Sequence, residues 1–263
     1  MRAKLYITVA LGLDCLVFAA LLFGAAGTQR WIAGWLFMAL FFIFALVISI
    51  ILLRHDPALL EERLRPIIQK DQPLWDKVLI PIIVVVFCGW MALMGLDAAR
   101  FRWSAMPVWL QGIGVAGLLW SMYITYATCR ENPYLAAVVK IQTDRGHKVV
   151  STGPYAIVRH PLYAGMLLML PSMALMLGSC YGVAASLLLC AALTVRAVLE
   201  ERELQARLPG YADYARRVRF RLVPYMWRGQ SDGLYSSRFD FLRNLLRQLN
   251  GRRLIKGSID QCR

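Results

Sequence analysis

The sequence predicts an all-α fold, a polytopic integral membrane bundle of about six transmembrane helices. Three observations carry that prediction. Of 263 residues, 59% are hydrophobic and only 17% are charged, whereas soluble domains carry about a quarter charged residues. The apolar residues are gathered into blocks of roughly 20, each long enough to cross a ~30 Å hydrocarbon core as a helix. A helix crosses without leaving backbone polar groups unpaired. Lys and Arg then alternate between the connecting segments, 27 on one side and 3 on the other. The positive-inside rule reads that alternation as a multi-pass chain with both termini and the two long loops in the cytoplasm.

The first span is expected over Leu5–Ala26. Arg2 and Lys4 precede it, but its apolar run exceeds the core of a cleavable signal and no clear small-residue cleavage site follows, so it reads as a retained helix. Asp14 is the single acidic residue of the first two spans. An intramembrane carboxylate is a functional candidate by default; here local pairing or access to water is the simpler account. The second span, Trp31–Leu53, completes an N-terminal hairpin over residues 1–56. Residues 57–77 form a cytoplasmic loop. Residues 78–224 form the core, with spans at Val78–Ala99, Pro107–Cys129, Leu162–Leu177 and Tyr181–Leu199. The fifth span is short and carries Pro171, which predicts a kink or tilt. Gly178-Ser179-Cys180 leaves room only for a tight turn between the last two helices.

The remaining 225–263 form a basic tail. Phe239, Leu242, Leu245, Leu246 and Leu249 recur there at helical spacing among Arg238, Arg243, Arg247, Arg252 and Arg253. This is the pattern of an interfacial helix on an anionic leaflet, with packing against the cytoplasmic loops as the alternative.

The formal charge of +14 would suggest nucleic acid in a soluble protein. Here the basic residues sit in loops and tail, and no basic-aromatic recognition module is visible, so nucleic-acid binding is not expected. Cys15, Cys88, Cys129, Cys180 and Cys190 lie in or beside apolar spans and Cys262 is near the end. None forms a CxxC pair, which argues against a metal site or a disulfide framework.

Chemistry-capable residues gather in two cytoplasmic regions. One is Gly153-Pro154-Tyr155-Ala156-Ile157-Val158-Arg159-His160-Pro161-Leu162-Tyr163-Ala164-Gly165. Gly-Pro makes a turn, and Pro161 starts a helix where its missing N–H is harmless. The free N–H groups of that first turn favour an anion or polar ligand. The other is Arg196-Ala197-Val198-Leu199-Glu200-Glu201-Arg202-Glu203, closing the sixth span. Arg196 and Glu200 are four apart and share a helix face, so an intrahelical ion pair is the simple account. An Arg so deep in an apolar span is expected to line a polar cavity. Leu208-Pro209-Gly210-Tyr211-Ala212-Asp213-Tyr214 and Val218-Arg219-Phe220 could fold back over it. Taken singly, each residue also fits an ordinary membrane-interface role, with Arg and His snorkelling and Tyr in an aromatic belt.

Together these strings, RHPxYxG, Arg-x-x-x-Glu-Glu and Gly-Tyr-x-x-Tyr running into Pro224, resemble the isoprenylcysteine carboxyl methyltransferases and the related membrane phospholipid methyltransferases. The similarity spans roughly Trp109 to Pro224. It implies a cytoplasm-facing pocket for S-adenosylmethionine, wrapped by His147, Lys148, Val149 and Val150, by Tyr155, and by His160, Pro161, Leu162 and Tyr163. It implies that Glu200 holds the cofactor through its ammonium and that Arg196 orients the methyl acceptor. Glu201, the second acid of the pair, is placed in the same cofactor set.

Methyl transfer from a sulfonium needs positioning and exclusion of water more than acid–base equipment. A carboxylate acceptor could be oriented by Arg196. An amine would need a base, for which Glu201 and His160 are candidates. Either way the acceptor is a lipophilic small molecule or lipid, an isoprenylcysteine-type carboxylate or a lipid headgroup. The chain departs from the pattern at Cys129-Arg130-Glu131-Asn132-Pro133-Tyr134, where the family commonly has a Leu-Gly-Arg-Asn-Phe-type string. It departs again at Lys140, where prenylcysteine enzymes carry Gln, and a cationic Lys140 could favour an anionic acceptor. Alternative readings are a non-catalytic membrane scaffold or lipid-binding protein, and a membrane reductase using NADPH. A transporter is disfavoured because paired broken helices are not apparent.

Overall fold

The protein is seen here in a computed structural model that describes residues 2–224, with side chains from Ile7 onward. The expected tail helix and the whole 225–263 segment lie outside the described residues. The regular elements of the described chain are all helical, with no strand among them.

Helix α1 (Arg2–Ala19) continues through a π-helical turn at Ala20–Gly24, and α2 (Ile32–His55) returns antiparallel to it. The short α3 (Pro57–Arg63) follows at once; Asp56 caps it by accepting a hydrogen bond from the Leu59 N–H (2.9 Å), with Pro57 at its first position. Helix α4 (Leu74–Gly95) ends in a second π-helical turn, Leu96–Phe101. Helices α5 (Val108–Glu131), α6 (Pro161–Leu177), α7 (Cys180–Arg207) and α8 (Tyr211–Arg217) complete the order.

Five helices are long and apolar enough to cross a membrane, and α6 is the shorter apolar one at 17 residues. At 1.5 Å per residue α6 spans about 25 Å, less than a ~30 Å hydrocarbon core. Its helical path continues through Pro171. The outward faces are apolar as lipid contact requires: Leu16, Val85, Leu187 and Leu188 are each 69% exposed. Asp14 lies exposed on α1. The chain is a polytopic integral membrane protein.

Small residues set the helix spacing. Gly114 and Gly117 of α5 face Ser172, Leu175 and Met176 of α6 with no room for a Cβ, and Gly165 of α6 meets Ile124 of α5. Close approach at small residues is how membrane helices gain packing when burial from water is not available. The core runs through Phe37, Trp90, Met91, Met94, Leu118, Met173 and Leu189.

The turn between α6 and α7 is as tight as Gly178-Ser179-Cys180 requires. Gly178 adopts φ +83°, and Ser179 caps α7 by accepting from the Gly182 N–H (2.8 Å). Asp97, fully buried, ties the ends of three segments here; its Oδ2 accepts from Ser179 Oγ (2.5 Å) and Ser104 Oγ (2.7 Å). This fixes one end of the bundle. The polar cavity lies at the other end.

Candidate active site

The site is built where α5 ends, α6 begins and α7 leaves the apolar layer. Because the hairpin is so short, depth can be counted from the turn. Arg196 is the seventeenth residue of α7 and so comes level with Pro161, the first residue of the 17-residue α6. Glu200 lies about one turn further out on the same face. The loop 132–160 then wraps the mouth. The chain after α8 returns to it: the N–H groups of Arg159 and His160 donate to the carbonyls of Phe220 (2.9 Å) and Arg221 (3.0 Å).

One cavity is enclosed by these segments. Of the residues singled out from sequence, His147, Lys148, Val149, Val150, Tyr155, His160, Pro161, Leu162, Tyr163, Arg196 and Glu200 all line it. Glu201 does not. Its carboxylate is only 2% exposed and turns the other way, to Arg159 Nη2 (3.0 Å), Arg221 Nε (3.0 Å) and His160 Nε2 (3.4 Å). The physical reason is the helical step of about 100° between adjacent residues, which sends Glu200 and Glu201 to different neighbours. Glu201 therefore stands in the structure as the hub of an ion cluster behind the cavity, not as part of its lining.

The expected Arg196–Glu200 ion pair is also absent among the described residues. Arg196 instead pairs with Asp76, from the first turn of α4. Its Nε donates to Asp76 Oδ1 (2.8 Å), its Nη1 to Tyr163 Oη (2.7 Å) and its Nη2 to the Ala137 carbonyl (3.1 Å). Asp76 is fully buried, and its Oδ2 also accepts from Gln72 Nε2 (2.7 Å) and the Val139 N–H (3.0 Å). A buried carboxylate is tolerable only when paired and hydrogen-bonded in this way. Tyr163 passes the chain onward, donating to Glu200 Oε2 (2.7 Å). Glu200 itself makes no ion pair among the described residues; it lines the cavity, with the Arg196 charge one helical turn away.

Asp76, Gln72, Glu62 and Gln69 are the residues that sequence reading missed. All belong to the segment taken as a plain loop, or to its border. Lys140, a lining residue, pairs with Glu62 (2.5 Å) and donates to Gln69 Oε1 (2.9 Å). Its charge is met from behind and does not stand free to favour an anionic acceptor. The signal for Asp76 was present: an Arg inside an apolar span requires a counter-charge, and Asp76 is a carboxylate at the same end of a neighbouring span.

The opposite end of the cavity is aromatic. Tyr155, Leu208, Tyr211 and Tyr214 pack with Val149 and Val150, so the Leu208–Tyr214 segment does fold back over the cavity. Tyr214 Oη donates to the Tyr155 carbonyl (2.8 Å), and Asn132 Nδ2 donates to Tyr155 Oη (2.7 Å).

His147 stacks on Tyr134, with centroids 4.5 Å apart, and its Nδ1 accepts from the Gln142 N–H (3.4 Å). Burial, and secondarily the Arg145 charge, lower its pKa to about 4. The unfolded chain then takes up this proton near pH 6.5 and the folded one only near 4, so stability falls as pH drops through that window. In NMR of histidine-labelled protein, with His147→Gln for assignment, one of the three imidazoles should stay neutral down to about pH 5. A resonance assigned to His147 that titrates near pH 6.5 would contradict this arrangement.

The fold and cavity thus define a membrane-embedded helical bundle with a polar, partly aromatic pocket at one end. Over residues 109–208 the chain matches the phospholipid methyltransferase family, one of the families that its RHPxYxG and Arg-x-x-x-Glu-Glu strings resemble. No curated protein matches the chain. The matched stretch supplies most of the cavity lining, whereas Arg63, Tyr211 and Tyr214 of that lining, and Asp76 behind it, come from outside the match.

Proposed function

We propose that the protein is an S-adenosylmethionine-dependent methyltransferase acting on a lipophilic acceptor at the cytoplasmic face of its membrane. The observation that carries this reading is the pairing, in one cavity, of a Glu200 carboxylate that makes no ion pair among the described residues with an aromatic end formed by Tyr155, Tyr211 and Tyr214. The cofactor is a cation with a flat base, and the residues present fit both features. Glu200 would hold the ammonium. The aromatic end would take the base, and the stretch His160–Tyr163 would line the middle. When bound, the cofactor supplies a methyl group on a sulfonium, open to in-line attack. The protein's part is to orient the two reactants and keep water out. Positive-inside counting supports placing this basic end in the cytoplasm, with both termini.

Arg196 bears on the acceptor. Three of its nitrogens are already engaged by Asp76, Tyr163 and Ala137, so an acceptor carboxylate would have to displace Asp76. A lipid headgroup nucleophile carries no such requirement, which favours it over an isoprenylcysteine-type carboxylate. Because α6 is shorter than the hydrocarbon layer, its first turn lies level with the headgroups or below them, within reach of a lipid entering from the side.

The test is calorimetric titration of detergent-purified protein with S-adenosylhomocysteine, beside Glu200→Ala. Saturable binding should appear in the wild type and weaken at least tenfold in the variant, the loss of one charge-assisted contact. A folded wild type that binds NADPH and ignores S-adenosylhomocysteine would replace this reading with a reductase. One that binds neither would leave a non-catalytic membrane scaffold.

A further inference from the structure

Tyr211 opens α8 and is 4% exposed. Its ring meets Tyr214 edge-on at 5.5 Å and packs with Leu208 in the aromatic end of the cavity. Three phenols line this end, and two of their hydroxyls are committed within the protein. Tyr155 Oη takes the Asn132 amide and Tyr214 Oη reaches the Tyr155 carbonyl. The Tyr211 hydroxyl is buried and has no hydrogen-bond partner among the described residues. A buried hydroxyl left unpaired is destabilising. Phe would fill the same space without that cost, so packing gives no reason for the oxygen.

We propose that the Tyr211 hydroxyl is a ligand contact, donating a hydrogen bond to an acceptor atom of the cofactor bound in this cavity. The proposal rests on the reading of the cavity as an S-adenosylmethionine site. It adds a binding residue that lies beyond the matched 109–208 stretch. The phenol is held as a donor: burial first, and then the Glu201 charge, raise its pKa well above the ordinary value. The position also suits the role. Arg159 Nη1 donates to the carbonyls of Ala215 (3.0 Å) and Val218 (3.4 Å), which anchors α8 with its first residue over the cavity.

The contrast between neighbouring tyrosines gives the test. Wild type, Tyr211→Phe and Tyr214→Phe are melted without ligand and titrated with S-adenosylhomocysteine. Tyr214→Phe loses an internal hydrogen bond and should melt below wild type. Tyr211→Phe loses none, and should melt at or above wild type while its affinity falls about threefold to tenfold. A Tyr211→Phe protein that binds as tightly as a wild type showing saturable binding would overturn the assignment. Absence of binding by the wild type would instead remove the cofactor reading, and this proposal with it.

Discussion

Replacing Glu201 by alanine is expected to destabilise the fold at the cavity end, whereas replacing Glu200, one residue earlier, is expected to leave the fold intact. Glu201 is the counter-charge for Arg159, 3% exposed at the side chain, and for Arg221, and it lies 3.4 Å from the buried His160 Nε2. Arg159 in turn anchors α8, and the Arg159–His160 backbone anchors the chain after it. Removing one partner from a buried ion cluster leaves uncompensated charge in a poorly solvated place, at about 3–5 kcal/mol. For a protein of this size that corresponds to a fall in melting temperature of roughly 10 °C. Glu200 is half-buried, makes no ion pair among the described residues, and releases only the Tyr163 hydroxyl when removed. Glu200→Ala should therefore melt within about 2 °C of wild type. Thermal melts of the two variants in one detergent decide the matter. Equal melting temperatures would mean that the cluster around Glu201 contributes nothing measurable.

That contrast also marks what could be read from the sequence. The spans were legible because lipid imposes length and polarity on a helix regardless of its neighbours. Gly178-Ser179-Cys180 allowed only a tight turn, and that turn puts Arg196 level with Pro161. The cavity lining was legible for a related reason: motif residues lie on helix ends and on one connecting loop. What failed was direction about the helix axis. Glu200 and Glu201 are equivalent in composition, and the four-residue spacing from Arg196 was the only clue to which of them shares its face. Long-range pairing was hidden for a different reason. Asp76 and Arg196 are 120 residues apart, and although Arg196 called for a counter-charge, Asp76 was one of several carboxylates in residues 57–77 able to supply it. The segment looked like a plain loop because α3 is only seven residues long, too short to show a periodic stripe. Yet it supplies Glu62, Gln69 and Gln72, which fix Lys140 and Asp76 from behind.

The largest effect on ligand binding from outside the cavity lining is expected at Asp76. Arg196 stands between two carboxylates, Asp76 on α4 and Glu200 four residues along its own helix. In the structure Asp76 takes it, at 2.8 Å, and Glu200 lines the cavity without an ion pair among the described residues. Asp76→Asn keeps the shape and removes the charge. It also sets an amide N–H₂ against donors already aimed there, the Val139 N–H and Gln72 Nε2. Arg196 is then free to turn to Glu200, the i, i+4 pairing that the helix permits. That would neutralise the group proposed to hold the cofactor. The expected result is a loss of S-adenosylhomocysteine affinity of about tenfold to a hundredfold, the weight of one hydrogen bond to a charged group. Methyl transfer should fall at least as far. A second substitution separates this from simple damage. In Asp76→Asn/Arg196→Met nothing remains to occupy Glu200, so ligand affinity should return to within a few-fold of wild type while turnover stays low. If the double variant binds no better than Asp76→Asn alone, Asp76 acts by holding the cavity in shape and not by keeping Arg196 off Glu200. Recovery would establish that a carboxylate outside the matched stretch decides which charge the cavity presents to its ligand.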